Sequence, residues 1–267
     1  MTNENKLAGL RVLNTRPQEQ GRALSESIYA AGGISIELPG LAIEPTAEGW
    51  LKNLPNLENI RHAIFISTNA VKFFFHRLVQ QKIKWPTTIN TIAIGNASAN
   101  ALAKWGIRID HVPNVADSEH LLELDMLQHI TNQTILLVQG EGGRMELTNT
   151  LLNRGAKLTS LAVYRRALPQ VSQQELLSLW REDSVDIILF TSQQAMQNIF
   201  TLFGKHTHDW LRGKPCLVIS ERLANAAALL GMQTIITSRH DLILNSLKLY
   251  NKERALKTAV VSTSTKE

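Results

Sequence analysis

Two segments of this chain repeat each other at a constant separation of 125 residues. Residues 62–70, HAIFISTNA, align with residues 187–195, IILFTSQQA, and the matched positions include a phenylalanine, a serine and an alanine. The same separation persists beyond the next loops, where Gly106 aligns with Gly231. A chance match would not keep its register through loops, so the repeat predicts two structural units of similar fold.

Each copy of the repeat alternates between predicted strands and predicted helices. Apolar runs such as residues 62–66 are followed by polar turns and lack the period-two alternation of a half-exposed strand. Such runs are typical of parallel sheets that helices cover on both faces. The sequence therefore predicts an α/β fold of two parallel-sheet α/β domains with flanking helices, related by internal duplication.

A weaker second repeat surrounds the first, because residues 10–43 resemble residues 134–164. The repeated units thus follow the order A, B, A′, B′ along the chain. This order permits two contiguous lobes, AB and A′B′, or an exchanged arrangement in which B pairs with A′ and A pairs with B′. The two arrangements predict different hinges.

The composition narrows the class of protein. A net charge of +5 favours acidic partners, but the cations are dispersed and no nucleic-acid-binding motif is visible, so nucleic acid is disfavoured. No apolar run reaches the length of a membrane span and the start lacks the layout of a secretion signal, so we expect a soluble, cytoplasmic protein without membrane contact. The single Cys216 excludes an intramolecular disulfide, and the scattered histidines predict no metal site.

The turns that follow the predicted strands carry the candidate binding residues. Open parallel sheets bind ligands outside the carboxyl ends of their strands. These turns offer small hydroxyl and amide side chains, a few arginines, and backbone N–H groups at helix N-termini, which suit carboxylate or phosphate. The alternative interpretation is that each serine or threonine only caps a helix. The candidate binding residues in these turns are Arg16, Ser67, Thr68, Asn69, Ser98, Gly140, Arg144, Thr191, Ser192, Gln193 and Ser220.

Tyr164 is the candidate for proton chemistry. It ends the predicted strand 161–163 beside two arginines, and a phenol at that position could donate a proton. The alternative is an amphipathic tyrosine that packs at the end of a strand. The glycine-rich turn 139–144 lacks both the dinucleotide-binding spacing and the phosphate-loop ending, and no serine-hydrolase motif is present.

With these residues the chain resembles the uroporphyrinogen-III synthase family over roughly residues 10–250. The resemblance implies a cyclising hydro-lyase of tetrapyrrole (haem) biosynthesis that needs no cofactor. Such an enzyme converts hydroxymethylbilane to uroporphyrinogen III with inversion of ring D through a spiro intermediate, and releases water. The motifs that carry the resemblance are Thr15-Arg16-Pro17, residues 65–71 (FISTNAV), 94–99 (IGNASA) and 118–122 (SEHLL), the turn 140–144, Val163-Tyr164-Arg165 and Phe190-Thr191-Ser192.

The fold implied by the resemblance is the exchanged arrangement, with two domains joined by a two-stranded linker (HemD-like). Tyr164 would then lie at the hinge, face the cleft and act as the general acid. The composition after Tyr250 lacks a helical apolar face and predicts a mobile tail. The expected segments are a discontinuous first α/β domain at 1–38 and 168–251, a second α/β domain at 42–162, linkers near 38–43 and 161–167, and the tail at 252–267.

The resemblance also bears on ligands and partners. It adds Ser118 to the candidate binding residues and implies the polycarboxylate hydroxymethylbilane as substrate. The family commonly has threonine where this chain has Leu223, so the second copy lacks one hydroxyl of the pattern. We expect a monomer that makes transient contact with hydroxymethylbilane synthase. The competing hypothesis, from another class, is a two-lobed non-catalytic binding protein for a polyanionic small molecule.

Overall fold

The computed structural model describes residues 6–47 and 49–264, and its strands form two five-stranded sheets. The strands are β1 (Arg11–Asn14), β2 (Ile34–Glu37), β3 (Ala42–Pro45), β4 (His62–Phe65), β5 (Asn90–Ala93), β6 (Thr134–Gly140), β7 (Lys157–Ala167), β8 (Ile187–Phe190), β9 (Cys216–Val218) and β10 (Ile235–Thr237). The α-helices are α1 (Gln18–Ala30), α2 (Gly49–Lys52), α3 (Thr68–Gln80), α4 (Asn96–Ala103), α5 (Ser118–Leu122), α6 (Met145–Asn153), α7 (Gln173–Arg181), α8 (Gln193–Phe203), α9 (His208–Gly213), α10 (Glu221–Leu229) and α11 (Ile243–Ser264).

The strand order is β10-β9-β8-β1-β2 in the first sheet and β3-β7-β6-β4-β5 in the second. Neighbouring strands run parallel from β10 to β2 in the first sheet and from β7 to β5 in the second. Parallel neighbours need crossover connections, and helices supply them here. The prediction of an α/β fold with two parallel-sheet domains is confirmed.

The chain divides into two compact units. The first unit comprises Met1–Ala42 with Ala167–Glu267, and the second comprises Ile43–Arg166. Of the two arrangements that the A, B, A′, B′ order permits, the sheets have the exchanged one, since β1 and β2 join β8, β9 and β10. The sequence places the domain boundaries at 38, 42, 162 and 168. Residue 38 directly follows β2, residue 42 begins β3, residue 162 lies within β7, and residue 168 directly follows β7.

Both faces of each sheet are buried, which explains why the strands lack period-two alternation. In β4, Ala63 and Phe65 belong to one apolar cluster while Ile64, between them, belongs to another. In β1, Leu13 and Val12 divide between two clusters in the same way. Each sheet therefore has an apolar layer on either side, and the strand ends remain as the places for polar groups.

Helix α11 continues to Ser264, through most of the segment for which the composition predicts a mobile tail. Leu247 is fully buried, and beyond it Arg254 pairs with Asp186 at 3.1 Å. The expected irregular structure at 252–264 is thus replaced by a helix, while the mobility of the segment stays a prediction. Residues 265–267 of that prediction lie outside the described residues.

Three observations concern membranes, metals and the thiol. Among residues 6–47 and 49–264, no helix combines the length and the apolar character needed to cross a membrane. In the same part of the chain, no cluster of three or more His, Cys, Asp or Glu side chains could hold a metal ion. Cys216 is buried, and burial raises the pKa of its thiol to about 12, so the thiol stays protonated at neutral pH.

Candidate active site

A β-bulge in β7 sets the direction of the Tyr164 side chain. Strands β6 and β7 pair Gln139 with Ala162 but Gly140 with Tyr164, so Val163 is an extra residue in β7. A regular strand would direct two consecutive side chains to opposite faces. Because of the extra residue, Val163 and Tyr164 belong to the same apolar cluster. Bulges next to active sites often re-aim a side chain in this way.

Three contacts hold Tyr164 in place. Its ring stacks on Phe73, with ring centroids 6.1 Å apart and planes inclined by 21°. A Cβ atom on Gly140 would lie 2.6 Å from Tyr164 Cζ, so only glycine leaves room for the ring. The Ser67 hydroxyl donates a hydrogen bond to Tyr164 Oη at 3.1 Å. Only 7% of the tyrosine remains exposed, so its position is fixed by its surroundings.

The hydrogen bonds of Ser67 determine where the Tyr164 proton is available. Ser67 Oγ accepts the N–H of Ala70 at 3.0 Å, as the N-cap of α3. The Ser67 hydroxyl in turn donates a hydrogen bond to Tyr164 Oη. Since the phenol oxygen accepts that bond, its O–H remains free to donate to another group. Tyr164 also lines a pocket, and the pocket is the place for such an acceptor.

The pocket has a volume of about 290 Å³ and lies where β4, β5, β6 and β7 end. This is the edge at which open parallel sheets bind ligands. Four of the residues predicted from the sequence meet in it: Ser118, Gly140, Arg144 and Tyr164. The remaining lining residues, none of which was a candidate site residue in the sequence analysis, are Ile66, Ile94, Ala116, Asp117, Glu141, Gly142, Gly143 and Arg166.

Two ion pairs lie at the wall of this pocket. Asp117 Oδ1 accepts the backbone N–H of His120 at 2.8 Å and lies 2.7 Å from His120 Nδ1. The hydrogen bonds from the backbone and ring of His120 hold the pKa of Asp117 below its usual range, and the bond to Asp117 raises the pKa of His120. Arg144 Nη1 lies 3.5 Å from Glu119 Oε2, and both of these side chains are more than half exposed.

Three other candidates of the second unit lie near the starts of α3 and α4. Thr68 is exposed, Asn69 is half-buried, and Ser98 is buried. None of the three is among the residues that line the described pocket. The burial of Ser98 favours a packing position for its hydroxyl, and substrate binding by Thr68 and Asn69 stays a prediction.

The first unit has its own candidates at the carboxyl ends of β8 and β9. Ser192 and Ser220 cap α8 and α10, where their hydroxyl oxygens accept backbone N–H groups at 3.1 and 3.3 Å. Thr191 is half-buried and Gln193 is exposed. Leu223, which replaces a hydroxyl residue of the family pattern, is 2% exposed and packs in the core. A leucine in that position has lost the polar role and serves packing.

Arg16 is a half-buried cation at the carboxyl end of β1. Its Nη2 lies 3.1 Å from His240 Nε2, and its Nε is buried without a hydrogen-bond partner in the described part of the chain. Burial lowers the pKa of Arg16. A bound anion would compensate the desolvated charge, which is the chemistry expected of a carboxylate-binding residue. The sequence offered no signal for His240, which is distant from Arg16 in the chain.

Comparison with known proteins points to one family. The family model described as "Uroporphyrinogen-III synthase HemD" matches residues 22–242. The uroporphyrinogen-III synthase of Escherichia coli (strain K12) is 31% identical over 233 residues, which cover 84% of this chain and 93% of that protein. The uroporphyrinogen-III synthase of Synechococcus elongatus is 30% identical over 241 residues, covering 88% of this chain and 87% of that protein.

Solved structures agree at the level of the fold. A mutant uroporphyrinogen III synthase from the extremely thermophilic bacterium Thermus thermophilus gives a TM-score of 0.57 at 18% identity, covering 94% of this chain and 100% of that chain. The uroporphyrinogen-III synthetase from Helicobacter pylori 26695 gives 0.56 at 16% identity, covering 94% and 99%. The family match spans most of the chain, and close to a third of the aligned residues are identical to those of the relative from Escherichia coli. The chain therefore belongs to the uroporphyrinogen-III synthase family.

Proposed function

We propose that this chain is a uroporphyrinogen-III synthase, which closes hydroxymethylbilane to uroporphyrinogen III with inversion of ring D and release of water. The observation that carries the proposal is the placement of the Tyr164 phenol. The phenol lies in a pocket at the strand ends of the second sheet. Because Ser67 donates to the phenol oxygen, the phenol proton remains free to be donated to the substrate. Membership of the family supplies the reaction, and this geometry supplies a group that can assist it.

The reaction needs one proton at the leaving hydroxyl. Loss of hydroxide from the hydroxymethyl group leaves an azafulvene cation, and the substituted carbon of ring D attacks it to form a spiro intermediate. The original bond from ring D to its neighbouring bridge then breaks, and the unsubstituted carbon of ring D closes the macrocycle and loses a proton. That proton balances the one given to hydroxide, so water is the only other product. The substrate is already reactive, and the protein's tasks are to fold it, hold it and protonate the leaving group.

Tyr164 is the general acid of this proposal. An ordinary phenol is protonated at neutral pH and can donate to a departing hydroxide. The Ser67 hydroxyl stabilises the phenolate that donation leaves behind, because it already donates to Oη at 3.1 Å. Stacking on Phe73 and the contact with Gly140 keep the ring from turning away. The phenolate takes up a proton again as ring D loses one.

The substrate's side-chain carboxylates need donors, and each unit, taken by itself, carries candidate donors at its strand ends. In the second unit these are the hydroxyl, backbone and arginine groups of Ser118, Gly140 and Arg144 at the pocket, together with Thr68 and Asn69 at the start of α3. In the first unit they are Arg16, Thr191, Ser192, Gln193 and Ser220. Neutral donors and single cations bind carboxylates without a buried cluster of like charge.

The assay is conversion of freshly generated hydroxymethylbilane, with identification of the uroporphyrinogen isomer. We expect the type III isomer from the wild type and a kcat about 10²- to 10⁴-fold lower for Tyr164→Phe. Tyr29→Phe is the matched control, since Tyr29 is half exposed and its hydroxyl only bonds the backbone oxygen of Ser35. Formation of the type I isomer alone, at the spontaneous rate, would overturn the function. Wild-type turnover by Tyr164→Phe would remove the role of the phenol.

The non-catalytic binding protein is not favoured, because the relatives that match over most of the chain are named as synthases. We further propose that the enzyme works in the cytoplasm as a monomer and receives its substrate through transient contact with hydroxymethylbilane synthase. The reactivity of the substrate supports this contact, since a short diffusion path limits spontaneous closure. In a coupled assay, an excess of the slow Tyr164→Phe variant should raise the type I fraction by competing with the wild type for hydroxymethylbilane synthase.

A further inference from the structure

Two adjacent arginines at the end of β7 have different surroundings. Arg165 forms an ion pair with Glu44 of the neighbouring strand β3, with Nη2 3.1 Å from Oε2. Arg166 lines the pocket that also contains Tyr164. Side chains two residues apart in a strand share a face, so Tyr164 and Arg166 point to the same side while Arg165 points away. The two arginines are therefore not equivalent.

Arg166 and Arg144, the two arginines among the described residues that line this pocket, differ in their contacts. Among the described residues no hydrogen bond or ion pair of the Arg166 side chain is present, and the side chain is exposed. Arg144, the other cation in the pocket wall, is next to Glu119. Of the two acidic residues in the wall, Asp117 is bound by His120. Glu141 is exposed, and in the part of the chain that the structure describes it forms no hydrogen bond or ion pair with Arg166. A guanidinium with its donors unused can take a carboxylate in a two-pronged bond.

A turn that lines the same pocket as Arg166 offers further donors. Gly142 and Gly143 line the pocket and precede α6, whose N-terminus has no side-chain cap. Backbone N–H groups at an uncapped helix start add to the attraction for an anion. Arg166 lies about 6.6 Å along the strand from Tyr164, given a rise of about 3.3 Å per residue. A carboxylate bound at Arg166 would thus hold part of the substrate in the pocket that contains the phenol.

We propose that Arg166 is a specificity-determining residue, which binds one side-chain carboxylate of the tetrapyrrole and so aligns the hydroxymethyl group with Tyr164. The inference rests on the proposed function, because it concerns how the same pocket selects its substrate. It assigns to Arg166 binding energy and orientation, and it assigns the proton transfer to Tyr164.

The test compares Arg166→Gln with Arg165→Gln in steady-state turnover of hydroxymethylbilane. Loss of a charge-assisted bond to carboxylate should raise the KM of Arg166→Gln roughly 10- to 100-fold. Because the hydroxymethyl group is then held less precisely against Tyr164, kcat should also fall, by about 10-fold. Arg165→Gln should stay within about 2-fold of the wild type, because it only loses an exposed ion pair. Arg166→Lys should recover part of the KM. Thermal unfolding of both glutamine variants should match the wild type, which separates binding from folding.

Substrate variants identify the carboxylate. In a series of bilanes that each lack one side-chain carboxylate, Arg166→Gln should lose its penalty for one member, since that bilane has no partner for the arginine. Equal KM values for the two glutamine variants, or an equal penalty across all bilanes, would overturn the role of Arg166 while type III formation by the wild type leaves the proposed function intact. If the wild type forms only the type I isomer, the proposed function fails first, and the inference fails with it.

Discussion

Asp117 has two functions at the pocket, because it caps α5 and also binds the ring of the histidine in the same turn. The second function is electrostatic: the hydrogen bond from Asp117 raises the pKa of His120, so the imidazole stays charged to a higher pH than a free histidine. A folded-state pKa above the unfolded value stabilises the protein at low pH, and this contribution is lost as pH rises through the folded pKa. Asp117, with a lowered pKa, contributes above its unfolded pKa and loses that contribution at acid pH.

Asp117→Asn tests this coupling, since asparagine keeps the capping oxygen and removes the charge. We expect the pKa of His120 to fall to its ordinary range near 6.5, and the helix start to remain intact. An NMR titration of the histidine ring protons measures the change. Asp125→Asn is the control, because Asp125 is exposed and is not one of the charged groups that raise the pKa of His120. An unchanged His120 pKa in Asp117→Asn would show that the ion pair is absent in solution.

Single residues of the site were predictable where one rule of chain geometry decides their place. Tyr164 and Ser118 follow from strand ends, family motifs and turn chemistry, and the structure brings both to one pocket. Arg166 was not predictable, because the direction of a side chain after a β-bulge depends on strand pairing that the sequence does not display. The contact between Arg16 and His240 was not predictable for a related reason, since it joins residues far apart in the chain.

At the scale of elements, the repeat preserves a capping serine in corresponding places. Ser67 and Ser192 occupy equivalent positions before α3 and α8, and each accepts a backbone N–H three residues on. Both serines therefore cap helices, as the alternative interpretation of the sequence expects. For Ser67, capping is not the whole role. Only Ser67 has a tyrosine hydroxyl as its second partner in the described structure. Both copies of the repeat thus keep the capping serine, and in one copy this serine also bonds a tyrosine of β7, on the far side of β6.

The C-terminal helix depends on contacts that composition does not reveal. Asp186, at the start of β8, bonds Arg11 through both side-chain oxygens and also pairs with Arg254 of α11. Burial opposes ionisation of Asp186, but the hydrogen bonds from the Arg11 side chain and backbone outweigh it and hold its pKa below the usual range. These contacts fix the strand edge, and they explain why α11 is helical beyond Tyr250, where the local sequence lacks a clear apolar face.

Asp186→Asn should destabilise the protein by about 2 kcal/mol at neutral pH, because charge-assisted bonds to two arginines are weakened. A depressed carboxyl pKa stabilises above the unfolded value near 4, so the difference from the wild type should shrink as pH falls below about 4. Denaturant unfolding across pH measures both effects, with Asp241→Asn as control, since Asp241 is exposed and pairs only with Arg239. Hydrogen exchange of 252–264 should rise in the variant, and no change there would contradict the link to α11.

For the whole molecule, the self-alignment predicted two α/β units, and the order of the repeats reduced the connectivity to two arrangements. The residues alone do not distinguish the two arrangements, because apolar strands of either copy would complete either sheet. The resemblance to the family predicts the exchanged arrangement. The strand order has that arrangement, since β1 and β2 complete the sheet of β8 to β10. Exchange leaves the second unit as one continuous stretch, Ile43–Arg166, and builds the first from two separate stretches.

This connectivity predicts which fragments fold alone. Residues 43–166 contain β4 to β7 and two apolar clusters of their own, so this fragment should unfold cooperatively on heating. The first unit should fold when residue 42 is joined to residue 167 by a short linker: Thr46 bonds the backbone of Val163 and Glu44 pairs with Arg165, so 42 lies opposite 167. Residues 1–128, a contiguous half, should fail to fold, since they lack β6 and β7. Circular dichroism on heating distinguishes these cases, and cooperative unfolding of 1–128 with a disordered 43–166 would contradict the exchanged arrangement.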